Sequence, residues 1–475
     1  MDAVTSLTYF VPELILLGTA FAALLLDLFI PKKEVVGLTG LAGVLAALAF
    51  ARCPADAYPL FYGFFLLDPF SFFFKVAALL IVAVTLLAFL AYRPRTESVS
   101  FPGEFTVLFL FMAFALILMG SSNNLLMIFL SLEFVSVLSY LLTGFLKKDS
   151  HSKEAALKYL LFGSVASGTM LYGMSILFGL TGAIDLNVIH ESLVSTAVPQ
   201  GLVLTSLFLI LVGLGFKISM APFHMWAPDV YEGALTPVTA FLTVGPKALG
   251  FAVLVRLLHT SFLHLQSEWS AVLVALSILT MTLGNVVAIS QTNIKRLLGY
   301  SSIAQAGYIL MGLAVSNEIG IRGVLVYLIA YAFTNLGAFL CVILVSNHCG
   351  TDEIDSYAGL SEKSPFLAFA LTVFLLSLAG IPPLAGFIGK FYVFSSAIQG
   401  QFITLAVAAA LNSAVAAFYY FKVVRLMYLA PAPSREPVAH PAFLLIPLWI
   451  ALIGTVVMGV FPNLFIQFVE RSLIL

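Results

Sequence analysis

Residues 215–248 read GFKISMAPFHMWAPDVYEGALTPVTAFLTVGPKA. Lys217 closes an apolar run and is followed shortly by Pro222, and Lys247 comes directly after Gly245 and Pro246 inside a second apolar run. Proline lacks an amide donor and clashes with the preceding helical turn, so each site loosens or breaks a helix. A charge at the centre of a bilayer costs at least ~2.5–3.5 kcal/mol and must face protein or water, where it often serves transport. The stretch therefore reads as a broken membrane span carrying Lys217, a polar turn holding Asp229 and Glu232 at its inner mouth, and a second span loosened beside Lys247.

The rest of the chain agrees with a membrane protein. Of its 475 residues, 61% are hydrophobic and 9% are charged, against about 25% charged in an ordinary soluble domain. A mean hydropathy of +1.08 belongs to the chain as a whole, so a single anchor on a soluble domain is excluded. The formal net charge is -1, without a basic run or acidic tail. That argues against nucleic acid and makes lipid and other membrane proteins the natural partners. Cys53, Cys341 and Cys349 lack the spacing of a zinc or iron–sulfur site and read as apolar or loop cysteines. No phosphate-binding glycine loop is present, so neither a nucleotide nor a metal is expected in this chain. The first apolar segment, Leu14 to Ile30, is followed by Pro31-Lys32-Lys33 instead of a cleavage site and reads as the first span.

Windows of about 20 apolar residues give roughly fourteen spans, an all-α integral membrane fold. They cover 10–30, 36–54, 70–92, 104–120, 123–146, 155–180, 202–222, 236–259, 269–291, 300–316, 321–346, 366–394, 400–428 and 441–468. With the N-terminus outside, the inner loops take Lys32, Lys33, Arg93, Arg95, Lys147, Lys148, Lys153, Lys158, Lys295, Arg296, Lys363, Lys422, Arg425 and Arg435. Arg52, Arg256, Arg322 and Arg471 fall outside. This is the asymmetry that the positive-inside rule describes, and both termini are then outside.

Four lysines remain within apolar segments: Lys75, Lys217, Lys247 and Lys390. Lys390 lies in LAGIPPLAGFIGKFYVF, beside Pro382-Pro383, on the twelfth span, five spans after Lys217. Interrupted spans in corresponding positions are the sequence sign of an inverted-repeat transporter. An odd offset predicts two inverted five-helix repeats, helices 4–8 over 104–259 and helices 9–13 over 269–428, with discontinuous helices 7 and 12. Helices 1–3 over 1–100 precede them and helix 14 over 441–468 follows.

Glu133, in NNLLMIFLSLEFVSVLSYLL, is too short to reach water from the middle of its span and needs a partner. Lys217 is the partner expected, in a pair that exchanges states when a proton arrives, the alternative being a static ion pair or packing contact. A buried lysine without a fixed counter-ion releases its proton more readily than one in water, so Lys217, Lys247 and Lys390 read as a proton relay, with structural pairing as the alternative. His224 can bridge carriers or sit at the interface. For Lys75, ion pairing near Asp68 or snorkelling outweighs chemistry. Arg256 and Arg322 read as interface anchors, Asp27 is satisfied at the interface, and Tyr300 with Ser301-Ser302 either orders water or packs helices.

The central string, with SLEFVSVLSY upstream and NIKRLLGYSSIAQAGY and IPPLAGFIGKFYVF downstream, resembles subunit N of bacterial NADH:quinone oxidoreductase, respiratory complex I, across essentially the whole chain. Leu235 departs from the pattern, standing where the family's GAPTP has its first proline. The resemblance implies a fourteen-helix antiporter-like subunit of the membrane arm, in a bacterial inner membrane. It makes Glu133 the family's key glutamate, Lys217 its broken-helix lysine, Lys247 its connecting lysine and Lys390 its outlet-side lysine. It also implies that NADH, FMN, iron–sulfur clusters and quinone are handled by partner subunits. Competing readings are an autonomous or Mrp-type cation/proton antiporter and a non-conducting structural subunit; a quinone-binding enzyme is weaker, since no redox centre is visible.

Overall fold

The computed structural model describes residues 1–92, 102–195, 198–432 and 436–473. Arg93, Arg95 and Arg435, assigned above to inner loops, lie outside the described residues. The long helices, in chain order, are α1 Val11–Phe29, α2 Lys33–Phe50, α3 Pro69–Leu90, α4 Pro102–Ser121, α5 Leu125–Thr143 and α6 Ser150–Thr181. Then come α7 Gln200–Ile218, α8 Thr236–Ser261, α9 Gln266–Ala288, α10 Ile294–Val315 and α11 Glu318–Cys349. The series closes with α12 Pro365–Ala379, α13 Ala385–Gln399, α14 Ile403–Leu429 and α15 Ala442–Val460.

Among the described residues, twelve helices are long and apolar enough to cross a membrane, against the fourteen spans expected. The two expected spans that fall short are instructive. Glu34–Phe50 is a shorter apolar helix. The segment expected at 366–394 is two helices, because α12 stops at Ala379 and α13 begins at Ala385, on either side of Pro382-Pro383.

Local sequence explains where the helices start. Asn124 accepts from the amides of Leu126 and Met127, Asn293 from Lys295 and Arg296, and Asp68 forms a reciprocal capping box with Ser71. Each supplies an acceptor to amides that have no partner within their helix. A two-stranded hairpin, Tyr58–Leu60 with Phe65–Leu67, joins α2 to α3. Helix α8 is buried along its apolar window and α10 and α11 nearly so, whereas α1 and α6 present most of their surface outward. The centre of the bundle is thus built from the helices that carry Lys247 and its neighbours.

Two buried ion pairs tie α3 to this frame and revise two expectations. Lys75 is paired, but with Glu13 of α1 at 2.6 Å instead of Asp68. Arg256 is no interface anchor: it is 2% exposed, donates both terminal nitrogens to Asp68 at 2.9 Å, and lies over the Phe70 ring. Burial works to raise the Asp68 carboxyl, but the charge and hydrogen bonds of Arg256, with those of Ser71, outweigh it and hold the group below the usual carboxylate range. Arg322 is partly exposed and pairs with Glu318 at 2.8 Å and Glu470 at 3.1 Å.

Candidate proton-transfer site

Lys217 occupies the last turn of α7, where helix carbonyls lack amide partners and a cation is favoured. The helix ends because Ser219 turns left-handed, φ 59°, and Pro222 follows. The side chain is 1% exposed and its ammonium donates to Ser136 of α5 at 3.0 Å. The direct Glu133–Lys217 pair expected from the sequence is not formed. Glu133 is half-buried and accepts from Ser167 of α6. Ser136 stands three residues after Glu133, so carboxylate and ammonium address neighbouring positions on one face of α5 without touching.

Lys247 follows Pro246 within α8 and is 3% exposed. Its ammonium donates to Ser302 of α10 at 2.7 Å and lies 5.5 Å from the centre of the Tyr231 ring. Lys390, on α13, is 6% exposed, and its ammonium reaches back across the break to donate to the Ala379 carbonyl at 2.9 Å and to Ser413 at 3.2 Å. It lies 4.5 Å from the centre of the Tyr308 ring. Hydroxyls, a helix-end carbonyl and aromatic faces stabilise the ammonium without a fixed negative charge. Among the described residues none of these three lysines has a carboxylate within ion-pair distance, in contrast to Lys75 and Arg256.

A network of buried polar side chains joins α9, α10, α11 and α14 with the end of α12. Ser301 meets the Tyr420 hydroxyl at 2.5 Å. Gln305 donates its amide nitrogen to Tyr420 at 3.3 Å and to the Leu378 carbonyl at 3.0 Å, while its oxygen accepts from Tyr327. Asn285 donates to Tyr308 and accepts from Tyr419, each at 3.0 Å. Sequence reading singled out Ser301-Ser302 but missed Gln305, Tyr308, Asn285, Ser413 and Tyr420. The available signal was spacing: Ser301, Gln305 and Tyr308 are separated by four and three residues in α10, which places them on one helix face.

His224 is buried in the turn after α7, and among the described residues its Nδ1 has no hydrogen-bond partner. It bonds to none of the three lysines, so the structure does not join it to them. Asp229 and Glu232 lie on the short helix Ala227–Gly233 instead of in a loop. Arg296 grips both, at 2.9 and 2.7 Å, and Lys158 holds Asp229 at 2.6 Å. Burial works to raise the Asp229 carboxyl, yet the hydrogen bonds and charges of Lys158 and Arg296 prevail and hold it low. Lys295, expected as a loop cation, is 4% exposed and donates to the Glu232 and Ala234 carbonyls at 2.7 and 2.6 Å. Leu235 keeps φ at -53°, within the range that proline would impose, so leucine here holds a backbone angle that a proline could also adopt. Tyr300 is only partly buried and forms no part of the network. Among the described residues no group of three or more His, Cys, Asp or Glu side chains is placed to hold a metal ion.

Fold and site together define a polytopic helical membrane protein with, among the described residues, two helix breaks and three buried lysines lacking carboxylate partners. The chain belongs to the NADH:quinone oxidoreductase/Mrp antiporter transmembrane family, whose pattern matches residues 122–416. It is 43% identical over 446 residues to "NADH-quinone oxidoreductase subunit N 2" of Chloroherpeton thalassium, covering 90% of this chain and 86% of that one. It is 40% identical over 480 residues to "NADH-quinone oxidoreductase subunit N" of Trichlorobacter lovleyi, covering 98% and 97%. Its fold superposes on a chain of respiratory complex I from Thermus thermophilus with a TM-score of 0.81 at 31% identity, over 96% of this chain and 98% of that one.

Proposed function

We propose that this chain is a proton-translocating, antiporter-like subunit of the membrane arm of a bacterial NADH:quinone oxidoreductase. NADH, FMN, iron–sulfur clusters and quinone belong to partner subunits, and neighbouring antiporter-like subunits flank this one in the inner membrane. The observation that carries the reading is the set Lys217, Lys247 and Lys390, each at most 6% exposed and held by hydroxyls, a carbonyl or aromatic rings. An ammonium stabilised only by neutral groups can lose its proton without stranding a buried carboxylate. A locked ion pair such as Lys75 with Glu13 cannot.

In this mechanism a charge displacement in the partner subunits acts on Glu133, which lies one helical turn from the Ser136 acceptor of Lys217. The Lys217 proton moves inward through the core to Lys247, whose helix is loosened at Pro246, and then to Lys390 and the outer face. The two breaks lie five spans apart and support reading 104–259 and 269–428 as inverted five-helix units, and the Lys/Arg asymmetry of the loops supports both termini outside.

The test is Lys217→Ala in membrane vesicles containing the assembled complex. Proton pumping and quinone reduction are expected to fall together. Normal pumping in the assembled variant would sink the relay and put a purely structural subunit in front, while cation-dependent proton flux through the purified chain alone would favour an autonomous antiporter.

A further inference from the structure

The last four carbonyls of an α-helix have no amide partners inside it. At the end of α12 all four are satisfied. The Gly380 amide donates to the Leu376 and Ser377 carbonyls, and that of Ile381 to Leu376. The remaining two carbonyls are taken by side chains: Leu378 by the Gln305 amide at 3.0 Å and Ala379 by the Lys390 ammonium at 2.9 Å. Gln305 and Lys390 therefore hold consecutive carbonyls of one broken helix end.

The same nitrogen of Gln305 reaches a second polar group, whose own partner is next in sequence to the serine that holds Lys247. Its amide nitrogen also donates to Tyr420, whose hydroxyl meets Ser301, and the adjacent Ser302 accepts from Lys247. Its oxygen accepts from Tyr327. A carboxamide donates only from nitrogen and accepts only at oxygen. Both the Tyr420 and the Leu378 contacts are made from the nitrogen, which donates but cannot accept a proton without passing through the imidic acid form, so the carboxamide interrupts proton transfer between them. A carboxyl group in the same place would not, because either oxygen can accept or release a proton.

We propose that Gln305 is a positioning residue that holds Lys247 and Lys390 out of proton contact: its nitrogen engages both the Tyr420 hydroxyl and the Leu378 carbonyl, and the carboxamide can take up a proton from neither. The inference rests on the proton relay proposed above and adds a residue that keeps its two later carriers from short-circuiting.

The experiment uses vesicles carrying the whole complex and reads two quantities: the decay of an imposed pH gradient without turnover, and the protons pumped per electron pair during quinone reduction. Gln305→Glu is expected to assemble, to speed the passive decay about tenfold, equivalent to about 1.4 kcal/mol off the barrier, and to lower the pumping ratio. Gln305→Met, similar in volume and unable to carry a proton, is expected to show no such leak. An intact ratio and no leak in the glutamate variant would overturn the proposal, as would equal leaks in both variants, which would indicate loosened packing. Should the glutamate variant fail to assemble, Tyr420→Phe gives the second reading: passive decay is expected to stay unchanged because the carboxamide remains in place, and a leak would count against the assignment by moving the barrier to the Tyr420 hydroxyl. Lys247→Ala in the same vesicles separates the two levels. If it pumps normally the relay itself fails; if it does not pump and Gln305→Glu is tight, only the role of Gln305 fails.

Discussion

The two helix breaks solve one problem in opposite ways. At the first, Lys217 precedes the break, stands in the last turn of α7 and turns sideways to Ser136 of a neighbouring helix. At the second, Lys390 follows the break and reaches back to cap the Ala379 carbonyl of α12. In both cases an ammonium is held near the C-terminal end of a helix segment, where the backbone dipole favours a cation. A buried lysine can thus be stabilised without a carboxylate by the geometry of the break itself. The second ammonium, unlike the first, is part of the structure of its own helix end.

The largest expected difference lies in how closely the backbones approach. A Cβ on Gly386 would stand 1.8 Å from the Ser377 carbonyl oxygen, a backbone atom that can move only with its helix. A Cβ on Gly215, before the first break, would meet the flexible Met220 methyl group at 2.6 Å and the Phe223 ring at 2.9 Å. Gly386→Ala should therefore cost ~3 kcal/mol or more, and Gly215→Ala about 1 kcal/mol. Thermal unfolding of the two variants in detergent checks the ranking; equal losses would mean that both breaks are equally rigid.

Next comes the lysine itself. Lys390→Met keeps the approximate volume and leaves the Ala379 carbonyl without its donor, which should cost ~1–3 kcal/mol. Lys217→Met removes a buried charge whose acceptor, Ser136, still donates to the Leu132 carbonyl at 2.8 Å, and should fall within about 1 kcal/mol of the parent. Denaturation midpoints would distinguish them. Similar values would show that Lys390 is not a structural cap and that the two breaks are energetically alike.

The turns differ as well. Gly380 adopts φ +91°, and a Cβ there would crowd the Lys390 side chain at 2.7 Å, whereas Ser219 holds φ +59° with a side chain present. Gly380→Ala should cost ~1–2 kcal/mol, while Ser219→Gly should stabilise by about 0.5 kcal/mol through relief of the left-handed conformation. A destabilised Ser219→Gly, measured by the same unfolding curves, would mean that the 3.5 Å contact between Ser219 and the Tyr231 hydroxyl outweighs the backbone strain.

Both breaks were legible in the sequence, since a lysine in an apolar run must face protein or water, and Pro222 or Pro382-Pro383 beside it frees the backbone groups that can receive it. What each lysine touches was not legible. Glu133 was the obvious counter-ion for Lys217, but a serine three residues along the same helix takes the contact, because sequence separation carries no distance. Arg256 looked like an anchor because it falls near the end of an expected span. Its partner Asp68 lies 188 residues away, and only the packing of α3 against α8 brings the two together. Gln305 was overlooked because a lone glutamine in an apolar helix carries no charge to flag it, although its spacing from Ser301 and Tyr308 marks a polar face.

The smallest effect concerns the hydroxyls. Lys217 has Ser136 as its one hydrogen-bond partner among the described residues, whereas Lys390 keeps the Ala379 carbonyl and the Tyr308 face if Ser413 is lost. A single net hydrogen bond is worth about 1 kcal/mol. Ser136→Ala should therefore slow quinone reduction and proton pumping about fivefold, close to what 1 kcal/mol implies. Ser413→Ala should change them less than about twofold, because the helix-end carbonyl still orients the ammonium. Steady-state rates in vesicles with matched assembly measure both. The opposite ranking would place the working contact of Lys390 on Ser413, leaving the helix-end carbonyl as a bystander and making the two breaks the same device.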